Sequence, residues 1–103
     1  MVSIHQEHAQ IFKAVCDSKR LAILELLRDG EKCACTLTEL TGIPQTALSY
    51  HMKILQDSNL VVSYKSGKWV NYALHQRGCQ EAVALLERLT TPNQAQTPNC
   101  CFL

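Results

Sequence analysis

A chain of 103 residues makes one small domain with a marginal core of its own, and 47% hydrophobic residues at that size imply a helix face reserved for a second subunit. A net charge of +1 excludes a global attraction to nucleic acid, so any such affinity must come from a local patch doubled by dimerisation. No apolar run approaches the roughly 18 residues of a membrane span and no signal peptide opens the chain, so a cytoplasmic protein is expected. In that compartment six cysteines read as metal ligands or redox sensors before structural disulfides.

Residues 3–16 read as a first helix with Ile4, Ile11, Phe12 and Val15 on its apolar side. Asp17 is the expected N-cap of a second helix that ends at Gly30, its stripe made of Leu21, Ile23, Leu24 and Leu27. Glu31 and Lys32 form a short link. Thr36-Leu37-Thr38-Glu39 has the pattern of a capping box, which predicts a third helix from near Thr36 to Gly42. Gly42-Ile43-Pro44 then turns into a fourth helix. Wound at about 100° per residue, that helix puts Gln45, Thr46, Ser49, Tyr50, Lys53 and Gln56 within an arc of roughly 140°. Ala47, Leu48, His51, Met52, Ile54 and Leu55 take the other side. The wet face carries hydrogen-bonding tips and one cation without a carboxylate, which suits base edges and phosphates. An ordinary surface helix would mix Glu with Lys there.

The next stretch strengthens that reading. Leu60, Val62 and Tyr64 alternate with Val61, Ser63 and Lys65, and Trp69, Val70 and Tyr72 fill a second strand. Ser66-Gly67 between them is a hairpin signal, with Lys65 and Lys68 flanking the tip. Residues 45–72 hold three lysines against one acid, Asp57. A helix followed by a hairpin with a basic tip is the winged helix-turn-helix arrangement, with the helix in the major groove of double-stranded DNA and the wing on the backbone beside it. The expected contacts are Gln45, Thr46, Ser49, Tyr50 and Lys53, with Lys65 and Lys68 on phosphates. A last helix from residues 76–78 onward carries Val83, Leu85, Leu86 and Leu89. The expected fold is therefore mostly helical α+β, in the order α-α-α-α-β-β-α and homodimeric. It comprises a domain over residues 1–91 and a flexible tail over 92–103 that ends Cys100-Cys101-Phe102-Leu103.

Cys33 and Cys35 immediately precede the third helix. In an extended segment, residues two apart face the same way, so both thiols can reach one ion, and thiolates select soft metals and metalloids. The alternative for a Cys-x-Cys pair is two buried small hydrophobes. The pair's place at the entry to the helix-turn-helix, where first-turn N–H groups favour thiolate, points to ligation. Ser18-Lys19-Arg20-Leu21, Cys33-Ala34-Cys35, Ser49-Tyr50-His51-Met52 and the run from Gly67 to Tyr72 together resemble the ArsR/SmtB family of metal-sensing repressors over roughly residues 8–90.

The resemblance implies a dimeric, operator-binding repressor with no organic cofactor, released by arsenite or antimonite, or instead by cadmium, lead or zinc. Arsenic-responsive members read Cys-Val-Cys-Asp-Leu-Cys where this chain has Cys33-Ala34-Cys35-Thr36-Leu37-Thr38, so the third sulfur is missing. Cys100-Cys101 resembles the vicinal pair of some arsenic sensors and could supply it. His5 and His8 are the other option, with a plain polar helix face as their alternative. Cys16 is expected in the core, and Cys79 at the start of the last helix has no evident partner. The zinc site that some relatives build on the last helix needs Asp and His, which that helix lacks. His51 reads as a structural tie, and His75 is assigned no role. A thiol redox switch on the same scaffold is the competing reading. An enzyme is not expected, because no cysteine is placed with a histidine and an orienting carboxylate and there is no glycine-rich phosphate loop.

Overall fold

A computed structural model of the chain describes residues 3–94. α1 (Ile4–Ala14) starts from a reciprocal capping box: Gln6 N–H donates to Ser3 Oγ, and Ser3 N–H donates to Gln6 Oε1 at 2.8 Å. α2 (Ser18–Leu27) is capped as expected, its Asp17 carboxylate accepting from Lys19 N–H at 2.8 Å and Arg20 N–H at 3.2 Å. β1 (Lys32–Cys33), α3 (Ala34–Thr41) and α4 (Gln45–Asp57) follow. β2 (Val61–Ser66), β3 (Trp69–Leu74) and α5 (Gln76–Leu89) complete the described chain.

Four sequence expectations are corrected. Lys32 is part of a strand: β1 pairs antiparallel with β3 through Lys32↔Tyr72 and Cys33↔Asn71, giving a three-stranded sheet of order β1-β3-β2. That pairing holds the backbone extended only through Cys33 (φ −77°, ψ 157°), so α3 starts two residues before Thr36 and the Thr36–Glu39 box does not form. Its N-cap is Cys33, which makes no side-chain capping bond. In the hairpin, Ser66 pairs with Trp69, so the two turn residues are Gly67 and Lys68, with Gly67 at φ +64°. Lys68 therefore sits on the tip and not beside it. Cys16 is exposed; it occupies the turn between α1 and α2, and Ala14 is the buried residue there.

Ile23, Leu37, Leu48, Met52 and Leu55 are the largest side chains fully removed from solvent, which joins α2, α3 and α4 into one core. Each contributes about 1.5–3 kcal/mol by leaving water. Val61 and Tyr72 close that core from the sheet side. Thr41 fixes the turn between α3 and α4: its hydroxyl donates to Leu37 O at 2.6 Å and accepts from Ile43 N–H at 3.1 Å. The last helix is locked by a close approach. A Cβ on Gly78 would lie 1.7 Å from the carbonyl oxygen of Asn59, itself at φ +60°. His75 proves to be the N-cap of α5, its Nδ1 accepting from Gly78 N–H at 2.8 Å. Beyond that anchor α5 leaves apolar residues uncovered, with Val83 67% and Leu86 51% exposed.

Candidate nucleic-acid interface and cysteine site

The two arcs of α4 separate as its periodicity requires. Leu48, His51, Met52 and Leu55 are buried, whereas Gln45, Thr46, Ser49, Tyr50 and Lys53 are exposed. His51 is held from behind. Arg20 Nη1 donates to its Nδ1 at 3.0 Å, while Arg20 Nε reaches Ala14 O at 2.7 Å and Nη2 reaches Lys13 O at 3.2 Å. Because the guanidinium has only donors, this contact makes Nδ1 the acceptor. One arginine thus ties the outward-facing helix to the end of α1, and the structural role expected of His51 is the one observed.

Gln56 leaves the outward set, since its amide donates to Ser63 Oγ at 2.7 Å and clamps α4 to β2. Lys53 Nζ lies 3.5 Å from the Asp57 carboxylate, both largely exposed, a pair of little energetic weight that an anion could displace. At the wing, Lys65 is exposed, and Lys68 Nζ stands 5.6 Å from the centroid of the Trp69 ring. The nearby Glu31 carboxylate, which favours the protonated phenol over the phenolate, raises the Tyr64 hydroxyl above its ordinary pKa.

Cys33 ends β1, opposite Asn71, and Cys35 sits in the first turn of α3. Their Cα atoms are 5.4 Å apart and their sulfurs are joined as a disulfide. The Thr36 hydroxyl lies 3.5 Å from the Cys33 sulfur. Cys35 borders two clefts. One of about 350 Å³ runs from Ala34, Cys35 and Thr38 to Gln45, Lys68 and Trp69. The other, about 330 Å³, is lined by Cys33, Cys35, Ser66, Trp69 and Asn71. Cys35 and two of the expected DNA contacts, Gln45 and Lys68, therefore share one concavity, while Cys33 lines the other cleft.

As a receptor for a thiophilic ion this pair supplies two sulfurs, and Thr38 lines the cleft in place of a third. No group of three or more His, Cys, Asp or Glu side chains that could hold a metal occurs among the described residues. Cys100 and Cys101 lie outside them. His5 is exposed and His8 half-buried, both on α1 and not on an extended arm. Cys79 is half-buried: its thiol donates to Leu60 O at 3.3 Å, and burial pushes its pKa up, which makes it a packing residue. Sequence reading missed Asn71, Trp69 and Arg20 as neighbours of these sites. A two-residue strand is too short to leave a periodic signal, and Arg20 acts across 31 positions of sequence.

Among the described residues no helix is long and apolar enough to cross a membrane. The family model described as bacterial regulatory protein, arsR family, matches residues 17–63, the stretch from the cap of α2 into β2. The arsenical resistance operon repressor of Bacillus subtilis is 45% identical over 71 residues, 68% of each chain. The protein of the same name from Staphylococcus aureus is 40% identical over 90 residues, 87% of this chain and 86% of that one. The homodimeric winged helix-turn-helix DNA-binding domain of a possible ArsR-family regulator from Mycobacterium bovis superposes with a TM-score of 0.67 at 23% identity, covering 90% of this chain and 91% of that one. The chain belongs to the arsR family of bacterial regulatory proteins, a winged helix-turn-helix transcriptional regulator and not an enzyme.

Proposed function

We propose that this regulator represses an arsenical resistance operon in the cytoplasm, binding its operator as a homodimer and leaving it when arsenite or antimonite binds to Cys33 and Cys35. The observation that carries the reading is the shared cleft: Cys35 lines it together with Gln45 at the start of α4 and Lys68 at the wing tip. The names of the two relatives above point to the same operon type. Gln45, Thr46, Ser49 and Tyr50 face base edges, while Lys53, Lys65 and Lys68 meet phosphates. The dimer forms through α1 and α5, whose Ile4, Val83, Leu86 and Leu89 are exposed in the single chain. Operator half-sites are then related by a two-fold axis.

When bound, the effector supplies an electrophilic centre that holds sulfurs in place of protons. The chain's own part is to bring two thiolates together at the junction of β1 and α3. Drawing them inward strains the β1–β3 pairing at Cys33↔Asn71 and the first turn of α3, and thereby shifts the wing relative to α4. The tail over residues 92–103, separate from the domain over 1–91, offers Cys100 or Cys101 as a third sulfur. Cadmium, lead or zinc are the alternative effectors and would draw on His5 or His8. The test titrates reduced protein with arsenite, following thiolate charge-transfer absorption and operator binding in parallel. Cys33→Ser and Cys35→Ser should keep operator binding and lose release; normal release from either variant refutes the reading.

The disulfide between Cys33 and Cys35 favours a second reading, a thiol redox switch on the same two residues. An oxidant should then release the operator in the presence of a metal chelator, with recovery on reduction. Undiminished operator binding by the oxidised protein dismisses this reading.

A further inference from the structure

We infer that the cleft between the start of α4 and the wing tip seats one deoxyribose and its phosphate from the DNA backbone, with the ring of Trp69 as the platform for the sugar. This rests on the reading above that α4 and the wing tip meet DNA, and it adds a contact residue outside the set named there. The first argument is that the core makes little use of this tryptophan. Trp69 closes the hairpin opposite Ser66, and alternation along β3 puts it on the face away from half-buried Val70 and buried Tyr72. It stays 53% exposed, although a tryptophan is a residue that gains most by covering its large apolar ring. Lys68 Nζ, 5.6 Å from the ring centroid, adds little to the fold at so open a place.

The second argument is the chemistry of the walls. Ala34, Val70 and Trp69 give the cleft an apolar side, while Thr38, Gln45 and Lys68 bring a hydroxyl, an amide and a cation without any carboxylate. An apolar flank beside a cationic rim suits a sugar ring joined to an anion. An apolar cavity of roughly 150 Å³ takes a benzene ring, so about 350 Å³ has room for a five-membered sugar and its phosphate.

The third argument is continuity. A reading helix in the major groove with a wing on the backbone beside it carries the strand that borders the groove between the two. Gln45 is the first residue of α4 and Lys68 lies on the wing tip, so the space between them is this cleft. Trp69 then supplies affinity without reading sequence and without releasing a counterion, which separates its contribution from that of the lysines.

The experiment uses the full chain, reduced and metal-free, with a mixed-sequence duplex at low salt, because a sugar contact does not depend on the operator. Trp69 is the chain's one tryptophan, so its emission reports the cleft directly and should be quenched as the duplex saturates the protein. Trp69→Ala should weaken binding about tenfold at an unchanged salt slope, whereas Lys68→Ala should flatten the slope by about one unit. Trp69→Phe, which keeps an aromatic ring, should stay within about threefold of the parent. Should Trp69→Ala fail to fold, Trp69→Leu, which fills the site without a ring, takes its place with the same expected loss. Unquenched emission from the saturated parent, parent-like affinity of the ring-less variant, or a slope flattened by that variant overturns this inference. It leaves the reading of α4 and the wing standing as long as Lys68→Ala still flattens the slope. If Lys53→Ala and Lys68→Ala both bind as the parent does, that reading falls and this inference falls with it.

Discussion

Removing Arg20 should damage the proposed DNA-reading face of α4 from behind. Arg20→Ala deletes three hydrogen bonds, to Ala14 O, Lys13 O and His51 Nδ1. The Lys13 carbonyl also accepts the backbone N–H of Cys16 at 3.1 Å and lies at the surface, so its loss costs little. The other two partners are part-buried, His51 at 8% exposure, and a hydrogen bond to a charged donor contributes about 1.5–3 kcal/mol each. Allowing for water entering the gap, the variant should lose about 2–4 kcal/mol, a large fraction of the roughly 5–15 kcal/mol that holds a domain of this size. With a urea dependence of about 1–1.5 kcal/mol per molar, the unfolding midpoint should fall by roughly 1.3–4 M. Arg20→Lys should recover less than half, because one ammonium cannot span the three acceptors in a fixed fork. Operator affinity measured well below the transition should fall too, since α4 loses its tie to α1. A midpoint within about 0.3 M of the parent would refute the argument.

Gly78→Ala should destabilise by about 2 kcal/mol or more in urea melts despite better helix propensity, because its Cβ would meet Asn59 O at 1.7 Å. The carboxyl of Asp17 lies below its ordinary value of 3.8, chiefly through the Arg20 N–H, so its contribution is present above that pH and fades as pH falls through the lower folded value. Asp17→Asn, which caps without titrating, should therefore lose less stability than the parent between about pH 6 and about pH 3, read by urea midpoints. In peptide mass mapping of alkylated protein at mildly alkaline pH, exposed Cys16 should react at least about tenfold faster than Cys79, whose thiol is half-buried and has a raised pKa. Lys68→Ala should weaken operator binding about equally for all sequences and flatten its salt dependence by about one unit, measured by fluorescence anisotropy across salt concentrations.

Where a periodic signal ran for ten residues or more, the sequence was legible. The two arcs of α4, the Asp17 cap and the uncovered stripe of α5 all follow from side-chain spacing, and the hairpin from alternation. The errors fall where long-range contacts overrule a local pattern. Thr36–Glu39 satisfies the capping rule, but β3 holds Lys32 and Cys33 extended and starts the helix earlier. Ser66-Gly67 and Gly67-Lys68 are equally good two-residue turns on composition, and the pairing of Val61 with Leu74 onward decides between them. His75 carries no assigned role in the sequence because an N-cap imidazole has no distinct sequence pattern. The cysteine pair was legible as chemistry but not as a place. Nothing local to residues 33–35 says that Trp69 and Lys68, more than thirty positions away, form the opposite wall of its cleft.

That placement bears on how little force the proposed switch requires. A ligand shifts a two-state equilibrium only by its differential affinity for the states, and a coupling of about 1–3 kcal/mol suffices for regulation. β1 is two residues long, so distorting its pairing with β3 disturbs few hydrogen bonds, and β3 leads directly out of the wing tip. α3, entered through Cys33, is tied to the start of α4 by the Thr41 hydroxyl. On the proposed reading, the same two sulfurs would pull on the wing by one route and on the start of α4 by the other. Phosphates held by Lys68 and bases read from Gln45 would, on that reading, in turn fix the walls of the cleft that Cys35 borders. Linkage makes the coupling reciprocal: on the proposed reading, operator DNA weakens the effector's hold on Cys33 and Cys35 by the same factor that the effector weakens the operator's hold on the protein.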